Sequence, residues 1–420
     1  MSLQKRFDLL VVSQLFYPEL VSTGQTLTEL IEELSSSGLK IKVITSQPTI
    51  VNNSSKVPSK ITYKGIEIVR TWSTRFTKLF FWGKLVNQLT FFISSSLTVI
   101  FGNPKSHLVL LTNPPYLPLL GWLNHFIYRA SYGVILFDIM PEQAELLNVI
   151  KRGGLLGKLW KYINSLWYRK ASYVVVLSKD MLEGAISNAN LSGHKHEKTF
   201  RDKTQIIHIW SDDRIIKPYP KSESIEAQRL NVIDKFVIQY SGNLARFHDI
   251  ETILEIARKL SNNDKIIFQF IGEGQKKRTV LEYQNNLRLS NIYVSSYVNK
   301  DILPYSLAMA DLGVVAQLPG QERVCYPSKL LGVMAAGKAI FAICPKNCEM
   351  AEMIISNNIG FVIENGDSDK GVGTILKAMD DPLLVSKMGM NAFQYLQKHF
   401  TLVNAAGKYY NIINKFVKKT

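Results

Sequence analysis

A repeated pattern of short apolar runs separated by helical segments constrains the fold of this chain more than any other feature. Phe7 to Val12 is the first such run, Thr26 to Ser37 has apolar residues at helical spacing, and Lys40 to Thr45 is the next run. Continuous apolar runs are typical of parallel strands buried on both faces, and their alternation with helices builds doubly wound sheets. The pattern returns with Phe236 to Tyr240 and Ile266 to Ile271. The sequence therefore predicts an α/β fold with two parallel sheets in tandem.

The length of the chain also favours two domains. Its 420 residues exceed the roughly 250–300 at which a single hydrophobic core stops growing. Pro218 to Ser224 has the composition of a linker, and residues 189–205 are polar and basic without an apolar period, which predicts a loop. We predict Rossmann-like domains over residues 1–215 and 216–400 that face a central cleft, the natural place for a ligand. The last helix, at about 401–420, is expected to pack back on the first domain.

The charge of the chain is basic and uneven. The net charge is +16, and residues 51–200 hold 18 Lys and Arg against 7 Asp and Glu, a difference of +11. Such a region favours an anionic partner, namely a nucleic acid, anionic lipid or a phosphorylated substrate, although a solvated surface with a lysine bias would show the same count. A nucleic-acid-binding motif does not accompany the charge.

Three sequence features bear on the compartment. Three cysteines in a chain of this length argue against a disulfide framework and for a reducing compartment, so we expect a cytoplasmic protein. The apolar run near the N-terminus is interrupted by Asp8 and is typical of a buried strand instead of a signal peptide. The segment Leu79 to Phe101 contains Lys84, Asn87 and three serines, and we interpret it as a core or interfacial helix instead of a membrane span.

The stretch from Gln321 to Gly337 is the strongest candidate for a phosphate site. Pro327 fixes a turn, Ser328 and Lys329 follow in the predicted first turn of a helix, and Gly337 ends it. Unpaired amides, the helix dipole, a hydroxyl and an ammonium group together suit a phosphate. An ordinary capped helix would have the same local sequence.

Further candidates stand where predicted strands end. Asn113 and Asp138 follow two strands of the first half, and Gly24 lies where a loop meets a helix. In the second half, Gly242, Asn243 and Arg246 follow a strand and precede a helix, which is a phosphate-binding arrangement without the Walker or dinucleotide signature. Ligands of open α/β sheets bind at the carboxyl ends of the strands, although each residue alone is more often a cap or turn residue.

No metal site is assigned from the sequence. Asp367, in an acidic triplet with Ser368 and Asp369, precedes a predicted helix, and its interpretation as an N-cap is stronger than a role as metal ligand. Cys344 and Cys348 are not accompanied by a pair of histidines.

Several motifs taken together resemble a known family. They are FYPE followed by STG, TNPP, DIMPE, YSGNLAR, FIGEG, AMAD, YPSKLL and MAAGKAI, in this order over nearly the whole chain. The chain resembles the retaining GT-B-fold family 4 glycosyltransferases, nearest the branch that builds surface polysaccharides and exopolysaccharides from lipid-linked sugars. The resemblance implies two Rossmann-like domains and a donor nucleotide held mainly by the second.

The resemblance also implies roles for individual residues. On the donor side these are Gly242, Asn243, Gly272, Glu273, Tyr297, Val298 and Ser328, with Arg246 and Lys329 facing the diphosphate. Gly24 matches the glycine loop near the donor phosphate and sugar, and Asn113 and Asp138 are expected on the acceptor side. One departure concerns two glutamates that many members carry with seven residues between them, one near the sugar and one on the ribose. This chain has Val324 and Gly332 at these positions. Glu322 is the candidate replacement for the first glutamate.

The expected reaction is transfer of a hexose-type sugar from a UDP-sugar to a lipid-diphosphate-linked or oligosaccharide acceptor, with retention. Negative charge grows on the departing diphosphate, so fixed cations lower the barrier. Arg246 and Lys329, with Glu322 near the sugar, are therefore the expected catalytic residues, and no metal or other cofactor is expected. Peripheral contact with an anionic membrane fits the basic first half. The alternatives are a GT-B-like sugar-nucleotide epimerase and a non-catalytic protein that binds nucleotide sugars.

Overall fold

The computed structural model describes residues 7–19, 23–48, 57–76, 81–102, 105–189, 194–211 and 215–417, which divide into two compact units. The first unit extends to Ile209 and also includes Arg323–Cys325 and the chain from Leu402 onward. The second unit comprises Trp210–Glu322 and Tyr326–Thr401. Each unit is built around its own sheet of mainly parallel strands, so the predicted α/β class with two doubly wound domains in tandem is confirmed.

The first unit contains an eight-stranded sheet in the order β3-β4-β2-β1-β5-β6-β7-β8. Among these described strands, β3 alone runs antiparallel to its neighbour, β4. The central strand β1 is buried at all four positions, as its apolar sequence requires for a strand covered on both faces. The strands are β1 (Leu9–Val12), β2 (Ile41–Thr45), β3 (Lys60–Tyr63), β4 (Ile66–Arg70), β5 (His107–Leu111), β6 (Tyr132–Ile135), β7 (Tyr173–Val176) and β8 (Thr204–Ile206).

Helices with one apolar side pack against this sheet. In α1 the buried positions include Leu27, Leu30, Ile31 and Leu34, which recur at helical spacing. The helices of the first unit are α1 (Thr23–Ser36), α2 (Phe81–Phe101), α3 (Pro118–Tyr128), α4 (Glu142–Leu146), α5 (Leu155–Lys170), α6 (Lys179–Asn188), α7 (His194–Lys203) and, from the end of the chain, α16 (Leu402–Val417).

Helix α7 corrects one sequence prediction, because residues 189–205 were expected to form a loop. The sequence of this helix has no apolar period, and Phe200 is its one fully buried apolar side chain. Arg201 holds the helix instead, with bonds of 2.7 and 2.9 Å to the carboxylate of Glu183 in α6 and 2.9 Å to Glu197. Ion pairs and one anchor residue thus replace the apolar stripe that sequence patterns detect.

The helix at the end of the chain, α16, belongs to the first unit. Its Phe416 stacks on the buried ring of His107 in β5, with 5.5 Å between ring centroids. His107 also lies 2.7 Å from the hydroxyl of Ser131 and 3.2 Å from that of Tyr173. Burial lowers the pKa of His107 to about 4, so the ring is neutral at pH 7. Residues 418–420 of the expected helix lie outside the described residues.

The second unit contains a six-stranded, all-parallel sheet in the order β11-β10-β9-β12-β13-β14. Its strands are β9 (Phe236–Ser241), β10 (Ile266–Ile271), β11 (Ile292–Ser295), β12 (Leu312–Ala316), β13 (Ala339–Ile343) and β14 (Gly360–Ile363). Its helices are α8 (Ile225–Arg229), α9 (Ile250–Lys259), α10 (Lys277–Leu287), α11 (Leu303–Ala308), α12 (Lys329–Ala335), α13 (Glu349–Ser356), α14 (Ser368–Asp380) and α15 (Pro382–His399), with 3-10 turns at Lys221–Glu223 and Gln321–Arg323.

Local polar contacts fix the ends of elements in the second unit. Asp367 is the N-cap of α14 and accepts a bond from the amide of Lys370, so its interpretation as a cap is confirmed. Lys221, in the stretch expected as a linker, donates to Asp311 at 2.6 Å, and this stretch lies within the second unit.

Candidate active site

Two loops at the carboxyl edge of the second sheet lie side by side. The amide of Gly242, after β9, donates to the carbonyl of Ile271 at 2.9 Å, and the amide of Leu244 donates to the carbonyl of Glu273, after β10, at 2.8 Å. Gly272 in turn donates to the carbonyl of Ser295 at 2.9 Å. Three strand ends are thereby joined by backbone bonds. This edge is where open α/β sheets bind ligands.

Glycine is required where these loops meet. Gly272 has φ of +143°, and a β-carbon there would lie 2.1 Å from the carbonyl oxygen of Gly242. Gly274 has φ of +145°, and its β-carbon would lie 2.6 Å from Oδ1 of Asn243. No side chain fits at such distances, so the loops can approach this closely only with glycine at both positions.

Lys329, the first residue of α12, reaches the same place. Its ammonium group lies 4.0 Å from the ring centroid of Tyr240, contacts the Tyr240 hydroxyl and lies 3.2 Å from Nδ1 of His248. The same nitrogen is 4.0 Å from the position of a β-carbon on Gly242. The structure therefore brings together Gly242 and Lys329, which are 87 positions apart in the sequence.

Tyr240 and His248 form the support under Lys329. The Tyr240 hydroxyl lies 2.7 Å from Nδ1 of His248 and 2.7 Å from the carbonyl oxygen of Asn243, to which it can donate. Burial, and then the charge of Lys329, lower the pKa of His248 to about 3. His248 is therefore neutral at pH 7 and adds no second charge beside the ammonium group. Its Nδ1 accepts from the ammonium group in the tautomer with the proton on Nε2, and in the other tautomer Nδ1 donates to the carbonyl oxygen of Asn243 at 2.9 Å.

Arg246 and Ser328 are exposed near these elements. Within the described residues Arg246 has no hydrogen-bond or ion-pair partner, so its guanidinium is available to a ligand. Ser328 directly precedes α12 and its side chain makes no cap bond. The amides of Leu330 and Leu331 donate to the carbonyls of Pro327 and Ser328 at 3.0 and 3.2 Å, so two amides of the first turn are already used. Lys329 thus contributes more positive potential here than the helix start does.

Glu273 and Tyr297 border the glycine loops. Glu273 pairs with Lys277 at 2.6 Å, and this hydrogen bond lowers the pKa of its carboxyl group. The Tyr297 ring is half exposed, and its Cε1 would lie 3.4 Å from a β-carbon on Gly272. Val298 follows Tyr297 and is half-buried. An exposed aromatic ring beside a glycine offers a flat surface to a planar ligand such as a nucleobase.

Glu322, Val324 and Gly332, the positions related to the two family glutamates, differ in their surroundings. Glu322 is half-buried, and its Oε2 atom is enclosed without a hydrogen-bond partner among the described residues. Val324 is buried in the first unit, where its carbonyl accepts a bond of 2.9 Å from the amide of Ile139. A β-carbon on Gly332 would have one described neighbour, Cδ1 of Leu307 at 4.0 Å, so this position has room for a side chain.

The first-unit candidates lie along the carboxyl edge of the other sheet. The Gln14 amide, after β1, donates to the carbonyl of Asn113, after β5, at 3.4 Å. The hydroxyl of Thr112 accepts a bond of 3.4 Å from the amide of Asp138, after β6. Gly24 is buried in the first turn of α1, where a β-carbon would lie 2.5 Å from the carbonyl oxygen of Glu19. Packing of its own loop therefore already requires glycine at position 24.

Asp138 has the surroundings of a functional carboxylate. Its Oδ1 accepts a bond of 3.0 Å from Gln143. Burial raises its pKa above the ordinary value, and this rise is opposed by the Gln143 bond and by the positive charge of Lys84. A carboxylate with a raised pKa at the end of a strand is a candidate for contact with a substrate hydroxyl.

Sequence reasoning missed Tyr240, His248 and Gly274. Tyr240 ends an apolar strand and looks like a core residue, and His248 lies in the loop before α9 without a motif of its own. The second glycine of Gly272-Glu273-Gly274 was the one visible signal.

Within the described residues no group of three or more His, Cys, Asp or Glu is placed to hold a metal ion.

Comparison with known proteins gives a family match within the second unit. Residues 221–395 match the family model "Glycosyl transferases group 1". The chain is 26% identical over 255 residues to the probable glycosyltransferase WbjE of Pseudomonas aeruginosa, and 24% identical over 181 residues to the putative colanic acid biosynthesis glycosyl transferase WcaI of Escherichia coli K12. These matches span 60% and 43% of the relatives' lengths.

Solved structures extend the likeness to the whole fold. The structure of Anabaena HepE in complex with UDP and glucose aligns with 98% of this chain and all of its own, with a TM-score of 0.72 and 14% identity. At this identity the likeness concerns the fold, which is that of the GT-B glycosyltransferases. Residues 221–395 of this chain therefore match the group 1 glycosyltransferase family model, and the chain as a whole has the GT-B fold.

Proposed function

We propose that this protein transfers a hexose-type sugar from a UDP-sugar to a lipid-linked or oligosaccharide acceptor, with retention, in polysaccharide biosynthesis at the cytoplasmic face of a membrane. The observation that carries the proposal is the ammonium group of Lys329 beside Gly242 at the edge of the group 1 domain. Two further facts support the donor and the pathway: HepE has been solved with UDP and glucose, and WcaI is named for colanic acid biosynthesis.

The proposed chemistry follows from the charges at this edge. Breaking the bond between the sugar and the diphosphate places negative charge on the leaving group, which Lys329 and the exposed Arg246 would stabilise. Tyr240 and neutral His248 fix the ammonium group in place before the reaction, so little reorganisation is needed as charge develops. Glu322 is half-buried, and its carboxylate would have to turn toward the sugar to accept a bond from a hydroxyl, because Oε2 is enclosed; that atom has no partner of its own among the described residues. We propose that no metal ion is needed.

A donor screen followed by a chelator test examines this proposal. The purified protein is expected to be stabilised by UDP and UDP-sugars in thermal unfolding, and to release UDP from one UDP-hexose when an acceptor is added. The rate should be unchanged by EDTA, and the anomeric configuration of the product, read by NMR, should equal that of the donor. Failure of every nucleotide diphosphate to stabilise the protein contradicts the proposed function, and loss of activity in EDTA contradicts the role given to the cations.

Position 332 offers a direct test of the donor site. Gly332→Glu should be tolerated, because the nearest described atom outside the neighbouring backbone of α12 is 4.0 Å from its β-carbon position and because glycine is unfavourable inside a helix. A carboxylate there would bond to the ribose hydroxyls, as the family resemblance implies. We expect UDP to bind about tenfold more tightly by calorimetry, since hydrogen bonds to charged groups contribute about 1.5–3 kcal/mol.

Gly332→Ala is the matched control for that variant. It gives the same gain in helix propensity without a carboxylate, so its affinity for UDP should equal that of the wild type. The gain in Gly332→Glu should shrink when 2′-deoxy-UDP replaces UDP. Equal affinities of the glutamate and alanine variants would place the ribose elsewhere.

A further inference from the structure

Helix α2 of the first unit exposes a continuous apolar stripe. We define the α2 stripe as six side chains that recur every three or four residues and are between 37% and 79% exposed, namely Trp82, Val86, Leu89, Ile93, Leu97 and Phe101. Residues at this spacing lie on one side of a helix. By length and composition, α2 is also the one helix among the described residues that could cross a membrane, yet 28% of its apolar window is buried in the protein.

The opposite side of α2 is partly polar and faces the protein. Asn87 is buried, and its Oδ1 accepts bonds from the Phe76 amide at 2.9 Å and the Thr74 hydroxyl at 2.8 Å. Its Nδ2 donates to the Phe76 carbonyl at 2.9 Å. Ser95 and Ser96 are buried on the same side, together with Phe91 and Val99. A surface helix of a soluble protein usually turns its apolar side to the core and its polar side to water. In α2, apolar side chains also face outward.

The surroundings of the α2 stripe favour a lipid surface. Trp72 and Phe76 are exposed on the segment that bonds to α2, and Phe126 and Ile127 are exposed on α3. Helix α3 packs against α2, and α5 packs against α3. Helix α2 carries one Lys and α5 carries four Lys or Arg, of which Lys161 pairs with Glu142 of α4 at 2.9 Å. Apolar side chains with aromatic residues and basic charges match the interface of an anionic bilayer, where aromatic rings sit at the level of the head groups.

We propose that the α2 stripe lies in the plane of an anionic membrane and inserts its six side chains into the interface. An in-plane orientation follows from the structure, because crossing the bilayer would pull α2 off the unit. The bonds of Asn87 and the burial of Phe91 would then be lost. Unsatisfied polar groups inside hydrocarbon are costly, so the packed helix is favoured.

Vesicle flotation with matched triple variants tests the α2 stripe. The test variant carries Trp82→Gln, Ile93→Gln and Phe101→Gln, and the control carries Ile225→Gln, Ile355→Gln and Leu383→Gln, which are similarly exposed in the second unit. The wild type and the control should float with vesicles of three parts phosphatidylcholine to one part phosphatidylglycerol. The test variant should lose about 100-fold or more in partitioning, because three apolar side chains no longer insert into the interface.

Three further measurements distinguish in-plane binding from a membrane span, from a dimer and from a failure of the donor site. Alkaline carbonate should release the wild type from vesicles, whereas resistance would overturn the in-plane orientation. A wild-type dimer that dissociates in the test variant, without vesicle binding by either, would assign the α2 stripe to a second copy and overturn the proposal. Calorimetry with UDP on all three proteins tests the donor site separately from membrane binding. All three should bind UDP equally, because the α2 stripe does not include donor-site residues.

Discussion

Replacing Lys329 by alanine is expected to lower kcat of glycosyl transfer by about 100-fold to 1000-fold, the range found when a fixed group that stabilises developing negative charge is removed. The ammonium group lies against Tyr240 and His248 beside Gly242. A water molecule that filled this space in the alanine variant would carry no net charge, so the positive charge would be lost. The measurement is steady-state transfer from the UDP-sugar identified in the donor screen, with thermal unfolding run in parallel.

Two variants make the Lys329 result interpretable. Arg246→Ala should also lower kcat, and it should leave the melting temperature unchanged, because Arg246 is exposed and makes no hydrogen bond or ion pair within the described residues. Lys377→Ala, at an exposed lysine in the last turn of α14, should change neither quantity. If Lys329→Ala keeps kcat within about threefold of the wild type, the charge-stabilisation mechanism is wrong.

Gly272→Ala is expected to abolish nucleotide binding in the measurable range and to lower the free energy of unfolding by about 3 kcal/mol or more. The added β-carbon would lie 2.1 Å from the Gly242 carbonyl oxygen, so the loops after β9 and β10 must separate. Their separation would also displace Lys329 from the edge of Gly242. Calorimetry with UDP and urea unfolding measure the two effects.

Gly366→Ala is the control for backbone strain. Gly366 also has a positive φ, of +80°, but no atom of the described residues lies within 4 Å of its β-carbon position. Its cost should be about 1 kcal/mol, from strain alone, with UDP binding unchanged. Equal effects of the two substitutions would mean that left-handed backbone conformation, and not the contact between the loops, explains the loss at Gly272.

Local sequence was sufficient for most elements of the fold. The apolar runs at β1, β2, β9 and β10 became buried parallel strands, since such runs are stable only when both faces of the sheet are covered. Gly337 follows α12 with φ of +65°, and Asp367 caps α14. Helix α7 was missed because Arg201 and its glutamate partners, and not an apolar period, hold it in place.

The candidate site was predictable only in part. Gly242, Gly272, Tyr297 and Lys329 were proposed from motifs, and the structure places them at one edge of the second sheet. The roles of these residues, and those of Glu322, Asn113 and Asp138, remain predictions. Tyr240 and His248 carry no local signal, because their importance lies in what they contact.

The sequence by itself determined the alternation of strands and helices, the two-domain class and the glycine and lysine positions that suit a phosphate. These properties depend on the type and spacing of neighbouring residues, which the chain displays directly. The tertiary structure alone decided that Lys329 rests on Tyr240 and His248, 89 and 81 positions away, and that the apolar side of α2 faces outward. The physical reason is that burial and long-range contacts arise from packing, which joins groups whose separation along the chain leaves no periodic trace.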